Sequence, residues 1–147
     1  MSVARLTYEA IDAATVLADV AGSRHGAILL FLGVVRDVND GRGVTGIEYS
    51  AYESMATREL HFIATEAASR VGDSDVAIVH RIGALALEET SVAIAVAHAH
   101  RAEAYELSRW VIEELKRRVP IWKREQYTDG SREWVDPSGR SIAGHVP

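Results

Sequence analysis

The ten residues from Gly26 to Val35 (GAILLFLGVV) include no polar side chain. Their apolar core, Ala27 to Leu32, is too short to cross a bilayer, which takes about 20 residues as a helix. A run of this length and composition is expected to form a buried strand with other elements packed over both faces. The chain has 147 residues, of which 48% are hydrophobic, enough to cover such a strand within one domain and without covalent staples.

Around that strand the pattern mixes helices and strands. Val3 to Thr7 alternates as a short strand does. Asp12 is placed to cap a helix from Ala13 to Ala21, which Gly22 would end. Arg36 to Gly43 is expected as an exposed loop, and Val44 to Tyr52 as a strand. Ser54 is positioned to cap a helix ending near Val71, with Leu60, Ile63, Ala64 and Ala67 as its buried stripe. Val76 to Ile82 and Ser91 to His98 follow as strands. Arg101 to Arg118 makes a third helix, with Ala104, Leu107, Val111 and Leu115 on one face. Pro120 disfavours helical geometry at Val119 and stops it there. Ile121 to Tyr127 is extended, and Asp129-Gly130 turns the chain into Glu133 to Val135. There is no repeat and no regular βαβ rhythm, so an α+β single domain over residues 1–135 is expected, followed by a loose tail over 136–147.

The chain contains no cysteine, which excludes disulfides, thiolate metal sites and a cysteine nucleophile. Any sulfur it handles must arrive on something else. The histidines show no metal-ligand spacing with carboxylates; His61 and His80 look isolated. The N-terminal residues Met1 to Asp12 lack a signal-peptide core, so a soluble, cytoplasmic protein is expected. A formal charge of −5 argues against a nucleic-acid surface. Local clusters of cations therefore stand out.

Three clusters carry candidate chemistry. Arg36 ends the apolar strand at a glycine-bearing loop; a solvated loop charge is the plain alternative. His100 and Arg101 open the third helix, where free backbone N–H groups favour an anion; two exposed side chains are the alternative. Lys116 lies in the last turn of that helix, where a cation complements the dipole. Lys123 lies beyond the proline in an extended segment beside Trp122 and has no such reason. A chain folded back at Pro120 would bring the two lysines together. Each ammonium would then depress the pKa of the other, as a proton donor and acceptor near neutrality requires.

Leu115 to Glu125 (LKRRVPIWKRE), Gly33 to Arg36 (GVVR) and His100-Arg101 followed by Ala104-Tyr105 together resemble the catalytic subunit of molybdopterin synthase, over roughly Val3 to Val135. The resemblance implies an α/β hammerhead fold with mixed, largely antiparallel strands packed by helices. It also implies a homodimer that binds a small ubiquitin-like sulfur carrier on each subunit, giving a heterotetramer. The carrier's C-terminal Gly-Gly tail, as a thiocarboxylate, would enter a pocket of the large subunit. Two transfers of sulfur to cyclic pyranopterin monophosphate would form the dithiolene of molybdopterin and consume two carriers, with no metal or cofactor of the enzyme's own. Carried over, Lys116 and Lys123 match the family's catalytic pocket lysines. Arg36, His100 and Arg101 match its substrate-binding cations, with Arg101 reaching the neighbouring protomer. Val34, Val35, Arg124 and Glu125 fall in matched segments as further substrate-binding candidates. Arg132 or Arg140 stands for a basic residue nearer the C-terminus. Glu88-Glu89 departs from a Gly-Asp turn common in the family. Two other classes remain to be separated: a non-catalytic docking module for a ubiquitin-like tail, and an unrelated phosphate-ester enzyme. The second is disfavoured because Gly41-Arg42-Gly43 lacks the Gly-Lys-Ser/Thr of a phosphate loop.

Overall fold

The computed structural model describes residues 2–136. A four-stranded sheet is built from β1 (Ser2–Thr7), β5 (Asp75–Arg81), β7 (Thr90–His98) and β2 (Ala27–Val34), in that spatial order. Only the β1–β5 pair is parallel; β5–β7 and β2–β7 are antiparallel. Strand β7 shows how the layers arise. Its side chains alternate, so Val92, Ile94 and Val96 face one side while Ala93, Ala95 and Ala97 face the other.

The valine and isoleucine face packs under two 18-residue helices, α2 (Glu53–Arg70) and α3 (Arg101–Arg118). Their buried residues, Ala56, Leu60, Ile63, Ala64 and Ala67 on α2 and Ala104, Leu107, Val111 and Leu115 on α3, recur at three- and four-residue intervals. The alanine face lies against the short helix α1 (Ala13–Val20), whose Val16 and Val20 fill the space that the small side chains leave. Asp12 caps α1 by accepting from the Ala14 N–H at 3.2 Å. Ser54 does not cap α2: Tyr52 occupies the cap position without a side-chain bond, and Ser54 lies inside the first turn.

The second sheet runs β3 (Val38–Asn39), β4 (Arg42–Ala51), β8 (Ile121–Tyr127), β9 (Arg132–Val135), with β6 (Gly83–Ala86) on β4. Val35, Val44, Ile47, Leu85 and Tyr127 form its own small core. The expected loop from Arg36 to Gly43 is a tight hairpin instead. Asp40 and Gly41 both hold left-handed backbone (φ 49° and 77°), which a two-residue turn between right-twisted strands requires.

The larger departure concerns β2. Rather than being buried between neighbours, it is the outer strand of its sheet and pairs with β7 alone. Ile28 and Val34 are 45% and 53% exposed, and Phe31 and Leu32 are exposed beside them. Among the described residues, no helix is long and apolar enough to cross a membrane. The tail over 137–147, with Arg140, lies outside the described residues.

Candidate active site

Helix α3 delivers Lys116 in its last turn, and the chain then reverses. Val119 takes extended backbone (φ −84°, ψ 127°), as the residue before a proline must. Strand β8 begins at once and pairs antiparallel with β4, setting Lys123 opposite Tyr49. Because strand side chains alternate, Lys123, Glu125 and Tyr127 share one face of β8, and Trp122 and Arg124 share the other.

Two cavities open on the lysine face. The larger, about 530 Å³, is lined by His80, Leu115, Val119 and Ile121 together with Tyr49 and the two lysines. The smaller, about 160 Å³, is lined by Val34, Arg36, Asn39 and Glu125, again with Tyr49, Lys116 and Lys123. Tyr49 and the lysines thus form the wall common to both. These are the chain's only two lysines; the other 14 of its 16 basic Lys and Arg residues are arginines.

The charges in this wall are unequal. Burial, reinforced by the Lys123 charge, pushes the Lys116 ammonium pKa below its usual value, although part of the side chain stays open to solvent. Lys123 Nζ lies 3.3 Å from Glu125 Oε1. Glu125 is 1% exposed. Burial alone would raise its carboxyl pKa, but hydrogen bonds from Asn39 and Tyr127 and the charge of Lys123 outweigh burial and hold it below the usual range. The Tyr127 hydroxyl donates to Glu125 Oε2 at 2.9 Å, and burial beside that carboxylate pushes its own pKa up to about 12.

His80 lines the larger cavity beside this wall, although in the sequence it looks isolated. It is 2% exposed, its ring meets Tyr49 edge-on at 5.2 Å between centroids, and Nδ1 lies 2.7 Å from the Arg81 carbonyl. Burial lowers its pKa to about 4, so the imidazole is neutral at pH 7 with Nδ1–H donating to that carbonyl.

Other sequence candidates fall elsewhere. Arg124 points away from the lysines and pairs with Glu48 at 2.8 Å. Val35 is buried in the small core, while Val34 lines the smaller cavity. Arg132 is exposed on β9 and lines neither cavity. His100 and Arg101 sit at the opposite end of α3 from Lys116. The 15 residue steps from Arg101 to Lys116 span about 22 Å at the helical rise, so one chain does not gather all its candidate cations into one hole. Among the described residues there is no group of three His, Asp or Glu side chains able to hold a metal.

Fold and site together define a mixed α+β protein with a concave cationic site whose two amines line both of two adjoining hollows. The family model described as MoaE protein matches residues 6–118. The molybdopterin synthase catalytic subunit of Emericella nidulans is 41% identical over 141 residues, covering 96% of this chain and 72% of that one. The Pyrococcus abyssi catalytic subunit is 43% identical over 120 residues, 82% and 80% of the two chains. Molybdopterin synthase from Staphylococcus aureus superposes with a TM-score of 0.84 at 33% identity, covering 96% of each chain. A complex of subunits 1 and 2 of the molybdopterin-converting factor from Helicobacter pylori shares the fold, with a TM-score of 0.70 at 21% identity. The chain belongs to the MoaE family of molybdopterin synthase catalytic subunits, enzymes of molybdenum-cofactor biosynthesis.

Proposed function

We propose that residues 1–135 form a sulfurtransferase domain acting in the cytoplasm. It passes sulfur from the C-terminal thiocarboxylate of a ubiquitin-like carrier to cyclic pyranopterin monophosphate, with Lys116 and Lys123 as its catalytic groups. The observation that carries this reading is the wall shared by two cavities and built from the chain's only lysines. The larger hollow, floored by Leu115, Val119 and Ile121, suits an extended peptide tail. The smaller, with Arg36 at its rim, suits the anionic end of the pterin.

Sulfur attack develops negative charge on oxygen and requires protons to move. Lys123, oriented by Glu125, holds and polarises the reacting groups. Lys116, whose lowered pKa makes proton release easier, shuttles protons and stabilises the oxyanion. The geometry also admits the reverse assignment. The exposed apolar edge of β2 supports a homodimer face. With Arg101 about 22 Å from its own Lys116, a dimer also offers it a neighbour's pocket.

Lys116→Ala and Lys123→Ala should each lower dithiolene formation from a thiocarboxylated carrier by about 100-fold or more, the usual worth of a positioned acid or base. Near-normal turnover in both variants would remove the assignment, and binding of carrier without any turnover would favour a docking module.

A further inference from the structure

Strand β3 is two residues long, too short to add much to a sheet. Its second residue, Asn39, reaches 86 positions along the chain to donate through Nδ2 to both oxygens of Glu125, at 2.8 and 3.1 Å. The other end of the same amide accepts from Arg36 Nη2 at 3.4 Å. A carboxylate only accepts and a guanidinium only donates, so the amide can satisfy both in one orientation alone. An alanine would serve neither end, and an aspartate would set charge against charge at Glu125.

We propose that Asn39 is a positioning residue, tying the arginine at the rim of the smaller cavity to the carboxylate that aims Lys123. The consequence is a continuous line, Arg36–Asn39–Glu125–Lys123, along one wall of that cavity. An anion drawn to Arg36 is thereby registered against the amine that acts on the substrate. The turn at Asp40-Gly41 supports this by fixing Asn39 opposite Arg42, whose guanidinium stacks 3.5 Å over the Tyr127 ring. Tyr127 in turn donates to Glu125, so the hairpin is clamped to β8 at two points.

The charged and titratable groups facing Glu125 are Lys123 and Tyr127 on its own strand, Tyr49 from β4, Glu133 of β9 through Tyr127, and Arg36 and Lys116 across the cavity. The hydrogen bond from Asn39 outweighs those from Tyr127 and Lys123 in holding the carboxylate ionised. Its removal raises the Glu125 pKa, so on acidification the carboxylate that holds Lys123 is protonated at a higher pH than in the wild type.

The inference rests on the sulfurtransferase reading for its kinetic consequence but not for its physical one. The test uses carbon-13 carboxyl NMR of Glu125, assigned with Glu125→Gln, together with steady-state kinetics of the enzyme–carrier complex. Asn39→Ala should raise the Glu125 midpoint, shift the acid limb of kcat to higher pH and lower kcat by about 10- to 100-fold, as loss of register at a reacting centre does. Asn39→Asp, which keeps the side chain's size, should raise the midpoint further. An unmoved midpoint in a folded variant overturns the proposal whatever the rate does. If the wild-type complex forms no dithiolene, the sulfurtransferase reading falls, while the carboxyl titration still decides the role of Asn39.

Discussion

At the scale of single residues, Glu88 is held in left-handed backbone at φ 71° while its N–H donates to the Val35 carbonyl at 2.7 Å. An L-residue there costs about 1–2 kcal/mol that glycine does not pay. The neighbouring Glu89, by contrast, is fully employed, binding the Ala86 N–H and the Arg81 guanidinium. Glu88→Gly should therefore stabilise the protein by about 1 kcal/mol in denaturant unfolding and leave activity unchanged; a loss of stability would show that the Glu88 side chain has a partner of its own. The departure from a Gly-Asp turn was visible in the sequence, but only the backbone angle shows why glycine suits the first position. The lysine pair was legible for a similar reason, because a proline between two lysines implies a reversal. Arg124 is a candidate only through its place in a matched segment, and the two-residue period of a strand turns it to the face opposite Lys123. His80 looked isolated because Tyr49 and Lys116, its companions, lie more than thirty positions away on either side.

Among the elements, β2 shows the limit of composition as a guide. Apolar sequence reports that a strand will be covered, without saying by which chain. Here one edge and much of its surface are left open, with Ile28 and Leu32 on the same face. If that edge is the subunit face and Arg101 serves a neighbour's pocket, Ile28→Arg combined with Leu32→Arg should convert dimer to monomer in sedimentation and abolish activity. A double variant that still sediments as a dimer with full activity would place the interface elsewhere. The helices were easier to read, because their apolar intervals and the breaks at Gly22 and Pro120 are local properties. The two-residue strand β3 and the four-residue β6 were not, since strands so short carry too little pattern to separate from loops.

For the molecule as a whole, the cost of building the site appears in how stability depends on pH. His80 is buried and titrates at about 4 in the folded state against 6.5 for a free imidazole. The unfolded chain therefore takes up the proton first, and the stabilising contribution of neutral His80 is complete above about 6.5 and lost as pH falls from there through about 4. The full loss is about 3 kcal/mol. Glu125 also has a lowered pKa, so its contribution is present above the ordinary carboxylate range and disappears at more acid pH. A His80→Phe variant should flatten the stability profile between pH 6.5 and 4 while keeping the steeper acid fall. An unchanged profile would mean that the ring is hydrated in solution.

The use of arginine for every other basic side chain has a chemical corollary. Reagents and acyl donors that seek primary amines find no decoy side chain on this protein, only the α-amino group and the two lysines that line both cavities. Beyond the α-amino group, stoichiometric amine labelling therefore reports on the two cavity lysines alone. Any lysine acetylation the chain suffers falls, by position alone, on the wall shared by the two cavities.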